Sequence, residues 1–588
     1  MSRLNPKAVV FIHVVILIVL GLAVYCNSIG GKFIWDDLGL VKDNVYIKDW
    51  KYLPAVIQDS FGSGAGTASN YYRPLQTILH MAGYSLWGLD VRGYHLTSIL
   101  FHILAAVAFY FFIRILSSRT DIPFLASLFF LVHPVNTETV CYISGVNDSL
   151  ALFFILLCLI FYLKSFDSHA FRYGVLSVLS LAMALLSKEN ALIVPVLILF
   201  YHCAFKKNRI MRAVPLFALV MIYVLFRVTL LSPLVFPDIS LPVLLKGVFA
   251  FFASCTMYLR LLFFPFDLRV EYGDMAFGFG DLRVIAGMLL IFSLAGVAFL
   301  RRKKSPLLFF SLAWFLVALL PVSNIIPVNL SFMMEHWLYM PSLGFFTILS
   351  SALCLRPKSR NAIFSLRAFS VALLVFYSFL TFRQNGYWSD PVVFYNRTLK
   401  YAPDSWRFYN ELGLEYENRA MYEQALAAFK KSLEIKPDLT GVYYNLANLY
   451  RKISRQKDAY LAVSKAEETN RKLAKEYYER GRMYADRRQD KKAAALYAKA
   501  LELDHQNQAL RLELANSYII TGRYEQAITL LLEVTRVDPA SALAYNNLAV
   551  AYYYAGEYDS AVSCLGKAIE FGYPVSREFL RLMGERCN

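Results

Sequence analysis

From its start to about Phe382 the chain is a succession of apolar runs, each about 20 residues long, and from Arg383 onward it has none. A run of that length crosses a bilayer as a helix. Backbone polar groups inside lipid must be satisfied within the segment itself, which rules out irregular chain there. With 57% hydrophobic and 18% charged residues, the 588-residue chain reads as a polytopic membrane half joined to a water-exposed half. The net charge of +17 does not point to nucleic acid. Much of the basic excess lies in short loops between apolar runs, where it sets orientation. Eight cysteines give no close metal-type pair, and no disulfide is assigned. The first run, residues 9–25, ends in Tyr25-Cys26-Asn27 without a small-residue cleavage site, so it is expected to stay as an anchor.

Arg3 and Lys7 before the first run argue for a cytoplasmic N-terminus. Counting on, Arg114 and Arg119, Lys164 and Arg172, and Lys206, Lys207 and Arg209 fall on that same side. The strongest basic cluster, Arg301-Arg302-Lys303-Lys304, joins them only if the apolar residues 244–266 do not cross. That segment is expected to pack on the outer side or to re-enter, and two half-length helices would fit. The expected count is eleven spans, with the second half of the chain on the outer side.

The second half has a period of 34. Small residues recur at Gly413, Ala447, Gly481, Ala515 and Ala549. Tyr416, Tyr450, Tyr484, Tyr518 and Tyr552 follow each by three, and Ala425, Ala459, Ala493, Ala527 and Ala561 by twelve. Pro437 and Pro539 mark two repeat ends. This is the tetratricopeptide pattern, in which two helices meet through small residues and stack on the next pair. One repeat cannot bury its apolar face alone, so a solenoid with a concave groove follows. Asn445 and Asn547 hold the same inner-helix position and are acceptor-groove candidates for a peptide backbone. Glu411, Glu479 and Glu513 hold that position elsewhere and read as solvated surface. Tyr409, Tyr443, Tyr477 and Tyr545 precede the small residues by four, and Arg511 breaks that row without an explanation in the sequence.

Ionisable groups gather at the outer ends of the spans, although they are costly near hydrocarbon. Asp36 and Asp37 follow the first span; Arg73, His95, His133, Glu138, Asp148, Lys188, Glu189, Glu335, His336 and Arg383 share their side. His102 lies deeper. A lone histidine on an apolar helix is usually a packing residue; shared sidedness is what raises these above that. Paired acids, cations able to hold phosphate and a peptide groove suggest sugar transfer from a lipid-phosphate carrier to a hydroxyl. A carboxylate would take the hydroxyl proton, and a cation would stabilise the departing phosphate.

In order along the chain stand Trp35-Asp36-Asp37, Tyr72-Arg73-Pro74-Leu75, Tyr94-His95-Leu96, His133-Pro134-Val135 with Glu138, Ser187-Lys188-Glu189, Glu335-His336-Trp337-Leu338-Tyr339-Met340-Pro341-Ser342, and Arg383 with Trp388. In this order they resemble the transmembrane-and-tetratricopeptide-repeat O-mannosyltransferases, within the GT-C class of polyprenyl-phosphate-sugar-dependent glycosyltransferases. The resemblance implies that Asp36 and Asp37 are the catalytic element. Where that family usually has Glu-Arg, this chain has Glu335-His336; Asn136 and Asn147 also depart from residues that are often His and Arg.

The expected fold is all-α: a GT-C-like transmembrane domain over residues 1–382, a linker at 383–405, five tetratricopeptide repeats over 406–575, and a capping helix or tail at 576–588. The expected function is transfer of a sugar from a polyprenyl-phosphate donor to Ser/Thr of exported proteins. Asp36 or Asp37 would be the base, and Arg73, Lys188 and Arg383 would contact the donor phosphate. The partners are membrane lipid, the lipid-linked sugar and an acceptor protein or peptide, with no nucleic acid. No metal ligands are assigned, although a divalent metal is compatible with the chemistry. Two rivals stand: a non-enzymatic membrane-anchored repeat scaffold, and transfer to a lipid-linked glycan. The short basic loops suggest a bacterial inner membrane, with the repeats periplasmic, or lumenal in a eukaryotic cell.

Overall fold

The computed structural model describes residues 5–67, 69–166, 170–205, 209–229, 240–273, 277–326 and 331–586. Arg3, Lys206 and Lys207, used above for orientation, lie outside them. The chain forms two compact units, Met1–Glu415 and Tyr416–Asn588. No strand occurs among the described residues.

The first unit begins with α1 (Pro6–Tyr25), α2 (Leu53–Gln58), α3 (Pro74–Trp87), α4 (Val91–Leu116), α5 (Asp121–Val132), α6 (Thr137–Cys141), α7 (Val146–Lys164), α8 (Ala170–Ser187), α9 (Val194–Phe205) and α10 (Val214–Thr229). It continues with α11 (Leu241–Phe263), α12 (Leu282–Arg301), α13 (Pro306–Leu319), α14 (Ser342–Leu353), α15 (Arg360–Asn385), α16 (Pro391–Tyr401) and α17 (Trp406–Asn418). Helix starts follow local chemistry. Pro6 opens α1 behind Asn5, whose side chain accepts from the Lys7 amide at 3.0 Å. α5 stops at Val132 because Pro134 forces His133 into extended backbone. The chain then turns by 55° into the segment ending at Cys141.

Among the described residues eight helices are long and apolar enough to cross a membrane, and the bent pair around His133 makes a ninth candidate. Three shorter apolar helices, Glu189–Phe205, Pro306–Leu319 and Ser342–Leu353, accompany them. Leu241–Phe263 is among the eight, and it corrects one expectation. It is one continuous helix, not two half-length pieces, because its single glycine lies near its start. There Gly247 lets the helix abut the Ile325 carbonyl, where a Cβ would not fit. Its other end meets His133, whose ring contacts the Leu262 carbonyl at 3.1 Å. Gly287 of α12 packs as closely on the Phe252 backbone, so the two helices form a tight pair.

The second unit takes in the end of α17, then α18 (Tyr422–Ile435), α19 (Thr440–Lys452), α20 (Gln456–Asp486), α21 (Asp490–Leu503), α22 (Gln508–Ile520), α23 (Tyr524–Val537), α24 (Ala542–Ala555), α25 (Tyr558–Glu570) and α26 (Arg577–Arg586). The periodic alanines are buried: Ala447, Ala493, Ala515, Ala527, Ala549 and Ala561 have no exposed surface. The period reaches the turns as well. Ala420, Ser454, Arg488, Gly522 and Gly556 all have positive φ, between 57° and 87°. At each turn the next amide bonds back to the carbonyl of a periodic tyrosine, from Met421 to Tyr416 through to Glu557 to Tyr552. This left-handed residue closes the helix end.

Two details were not legible in the repeat pattern. α20 runs unbroken for 31 residues, joining the second helix of one repeat to the first of the next. Residues 470–474 hold no Gly or Pro, whereas Pro437 and Pro539 end other repeats. Arg511, unexplained above, pairs with Glu533 at 3.1 Å, so an ion pair between α22 and α23 stands in for tyrosine packing.

Candidate active site

The loop after α1 is pinned at its base. The Asn385 amide donates to the Val24 carbonyl and to Asn27 Oδ1, each at 2.9 Å, and the Lys32 amide donates to the Ser389 carbonyl at 3.2 Å. The loop then reaches Trp35, which adopts φ 56°. A bulky residue there is strained, and the surroundings must hold it. Tyr142 stacks on its ring at 6.0 Å and Phe408 meets it edge-on at 5.5 Å. This turn drives the next two side chains in different directions.

Asp36 opens onto a cavity of about 980 Å³. Its pKa is raised above the usual carboxylate range by burial, which outweighs the help of the Tyr142 hydroxyl and Arg407. Asp37 does not line the cavity. It is 1% exposed. Its Oδ2 accepts from the Ile34 amide at 3.1 Å, and its Oδ1 accepts from the Ser144 amide at 2.8 Å and the Ser144 hydroxyl at 2.6 Å. Burial still lifts its pKa to about 7 despite these donors. The expected catalytic pair is thus split: Asp36 faces the space where a substrate could sit, and Asp37 ties the loop to residue 144.

Around Asp36 the cavity collects residues from five other segments. Arg73 donates to Glu189 Oε2 through Nε at 3.2 Å and Nη2 at 3.1 Å, and lies over the Tyr71 ring at 4.5 Å. Lys188 Nζ lies 2.7 Å from each oxygen of Asp148. His336 contacts Glu138 Oε1 through Nδ1 at 2.7 Å, and its amide donates to Oε2 at 3.0 Å. Every cationic candidate in the cavity is therefore already matched to a carboxylate. Asp36 and Glu411 line it with no ion pair among the described residues. The wall formed by Leu320, Pro321, Val322, Ile325, Ile326 and Met334 is apolar. Among the described residues no three His, Cys, Asp or Glu converge to hold a metal.

The remaining candidates lie elsewhere. His95 is buried in α4 against Gly31. His133 has both ring nitrogens engaged, by the Leu262 carbonyl at 3.1 Å and the Val135 amide at 3.3 Å. Glu335 is buried behind the cavity, accepting from the Arg269 amide and, at 2.6 Å, from the Tyr272 hydroxyl. Burial and the nearby Glu138 raise its pKa. Arg383 is exposed on α15 and does not line the cavity. Each of these has a packing or capping partner, or lies outside the cavity lining. In the second unit Asn445 and Asn547 are half-buried, and Asn547 accepts from Asn546 at 3.3 Å.

Sequence reasoning missed Glu411, read as solvated; it is half-buried on α17, held by Asn410 at 3.1 Å, and its pKa is raised by burial. Its repeat position, shared with Asn445 and Asn547, was the available signal. It also missed the apolar wall, whose signal is an apolar stretch interrupted by Pro321 and too short to span.

Models of the tetratricopeptide repeat match residues 407–439, 515–556 and 541–572. The chain is similar to a Caenorhabditis elegans protein O-mannosyl-transferase, F38B6.6, at 25% identity over 421 residues, covering 68% of this chain and 59% of that one. Human protein O-mannosyl-transferase TMTC3 is 25% identical over 480 residues, covering 73% of this chain and 51% of that protein. Human TMTC2 is 31% identical over 155 residues, covering 26% and 18%. The chain thus spans little more than half the length of the relatives it matches most broadly. Among solved structures, YrrB, described as a TPR protein with an unusual peptide-binding site, is similar at 23% identity with a TM-score of 0.18, covering 33% of this chain and 97% of that one.

Proposed function

We infer that this chain, similar over 68% of its length to a TMTC-like protein O-mannosyl-transferase, is a membrane glycosyltransferase that moves a sugar from a polyprenyl-phosphate donor to Ser/Thr hydroxyls of exported proteins. The observation that carries the reading is the setting of Asp36. Its carboxylate, which makes no ion pair among the described residues and has Arg407 only as a longer-range cation, opens onto a cavity with Arg73 and Lys188 in one wall and an apolar face in another.

In this reading the acceptor hydroxyl oxygen attacks the anomeric carbon from the side of Asp36. Asp36 takes the hydroxyl proton as the new bond forms. The bond from the anomeric carbon to the phosphate oxygen breaks, and polyprenyl phosphate leaves with its electron pair. Attack opposite the leaving group inverts the anomeric centre. The guanidinium of Arg73 and the ammonium of Lys188 offset the charge developing on that phosphate. Their carboxylate partners hold them in place beforehand, so little reorganisation is needed. Leu320, Pro321, Val322, Ile325 and Ile326 give the first isoprene units an apolar seat. Glu411 orients the acceptor by accepting from its backbone amides, and the repeats collect acceptor chain. Bulk binding of acceptor by the groove would involve Asn445 and Asn547.

The test is glycan analysis of acceptor proteins in cells carrying Asp36→Asn at wild-type protein levels. Loss of the transferred sugar is expected. Unchanged glycosylation would remove the enzyme reading and leave the membrane-anchored scaffold.

A further inference from the structure

α4 and α7 both start beside the site. Tyr94 packs on Phe33 of the first loop at 5.8 Å, and Asp148 lines the cavity. They touch where Phe101 meets Phe153 at 6.2 Å. Further along, their side chains line a separate groove of about 510 Å³. Leu104, Phe111, Phe153 and Leu157 supply its apolar sides, and among the described residues Arg114 and Lys164 are its only charged lining residues. Arg114 is anchored by donating to the Tyr110 hydroxyl at 3.1 Å.

The depth of those two cations matters. At about 1.5 Å per residue, Arg114 lies about 30 Å along its helix from Tyr94, and Lys164 about 24 Å from Asp148. That is close to the thickness of a hydrocarbon core, about 30 Å. The cations therefore lie at the headgroup level of the leaflet opposite the site. An apolar slot ending in two cations, with no carboxylate among the described residues that line it, is complementary to one anionic amphiphile in its membrane orientation.

We propose that this groove is a binding site for an anionic phospholipid of the leaflet away from the site. Its phosphate lies between Arg114 and Lys164, and an acyl chain lies along Phe111, Phe153 and Leu157. The site is separate from the donor cavity and does not depend on the reaction proposed there.

Native mass spectrometry of the purified full chain, titrated with phosphatidylglycerol or phosphatidylcholine, tests it. One phosphatidylglycerol should be retained at least fivefold more strongly than phosphatidylcholine. Lys164→Gln and Arg114→Gln should each reduce that preference at least threefold. Leu157→Trp, which fills the slot and leaves charge untouched, should weaken retention of both lipids. Lys164 is exposed, so its variant keeps the test valid should Arg114→Gln fold poorly. Equal retention of the two lipids, or an unchanged preference in Lys164→Gln, would overturn the proposal. Displacement of the lipid by millimolar inorganic phosphate would overturn it too, by assigning the cations to a free anion.

Discussion

Lys188 and Asp148 form a buried ion pair in which one ammonium reaches both carboxylate oxygens at 2.7 Å, with side chains 8% and 5% exposed. Both side chains are nearly fully buried. Removing one leaves a buried charge uncompensated, at a cost of about 3–5 kcal/mol. Lys188→Met should therefore lower the denaturation midpoint markedly. Lys188→Met with Asp148→Leu should recover at least half of that loss and still lack transferase activity. Thermal unfolding in detergent, run beside an activity assay, separates the structural role from the donor-binding role. A double variant as unstable as the single one would show that the pair is not what holds this part together.

The two adjacent aspartates should behave differently. Asp36→Asn should fold like the wild type and lose about 10²-fold or more in rate, the scale of a missing general base. Asp37→Asn should lose about 1–3 kcal/mol of stability, because an amide cannot accept at both ends of the Ile34–Ser144 clamp. Stability and turnover measured on both variants decide the assignment. Equal rate losses at equal stability would contradict it.

Asp37 also predicts a pH dependence of stability. Its folded pKa, about 7, is raised above the ordinary value of 3.8. Between those values the folded state holds a proton that the unfolded chain has released. Its contribution to stability is therefore present below about pH 4 and is lost as pH rises towards 7. Asp37→Asn should flatten this part of the melting-temperature profile, whatever its own baseline.

Glu411 should act on the acceptor and not on the chemical step. Glu411→Gln keeps the shape and removes the charge. KM for the acceptor should rise a few-fold with kcat nearly unchanged, the sign of binding shared equally by ground state and transition state. A fall in kcat equal to that of Asp36→Asn would instead place Glu411 in the proton transfer.

The left-handed repeat turns make a prediction free of function. Ala420, Ser454 and Arg488 adopt φ of 57° to 62°, where the equivalent positions 522 and 556 are glycine. A side chain there costs about 1–2 kcal/mol, partly offset by the flexibility that glycine adds to the unfolded chain. Each substitution to glycine should stabilise the full chain by about 0.5–1 kcal/mol in chemical denaturation.

Much of this was legible in the residues alone. Apolar run length requires membrane helices, because lipid offers the backbone no hydrogen bonds. The 34-residue spacing requires stacked helix pairs, because each pair leaves an apolar face uncovered. Part of the grouping was legible too: Asp36, Arg73, Glu138, Asp148, Lys188, Glu189 and His336 line one cavity. Tertiary structure decided which side chains enter it. A positive φ at Trp35 turns Asp36 inwards and Asp37 away, and local spacing cannot encode that turn. Arg383, His95, His133 and Glu335 do not line the cavity, because which way a side chain faces is set by contacts between segments far apart in sequence. Glu411 enters for the same reason in reverse: its surroundings, not its repeat position, determine whether a carboxylate meets solvent or a substrate cavity.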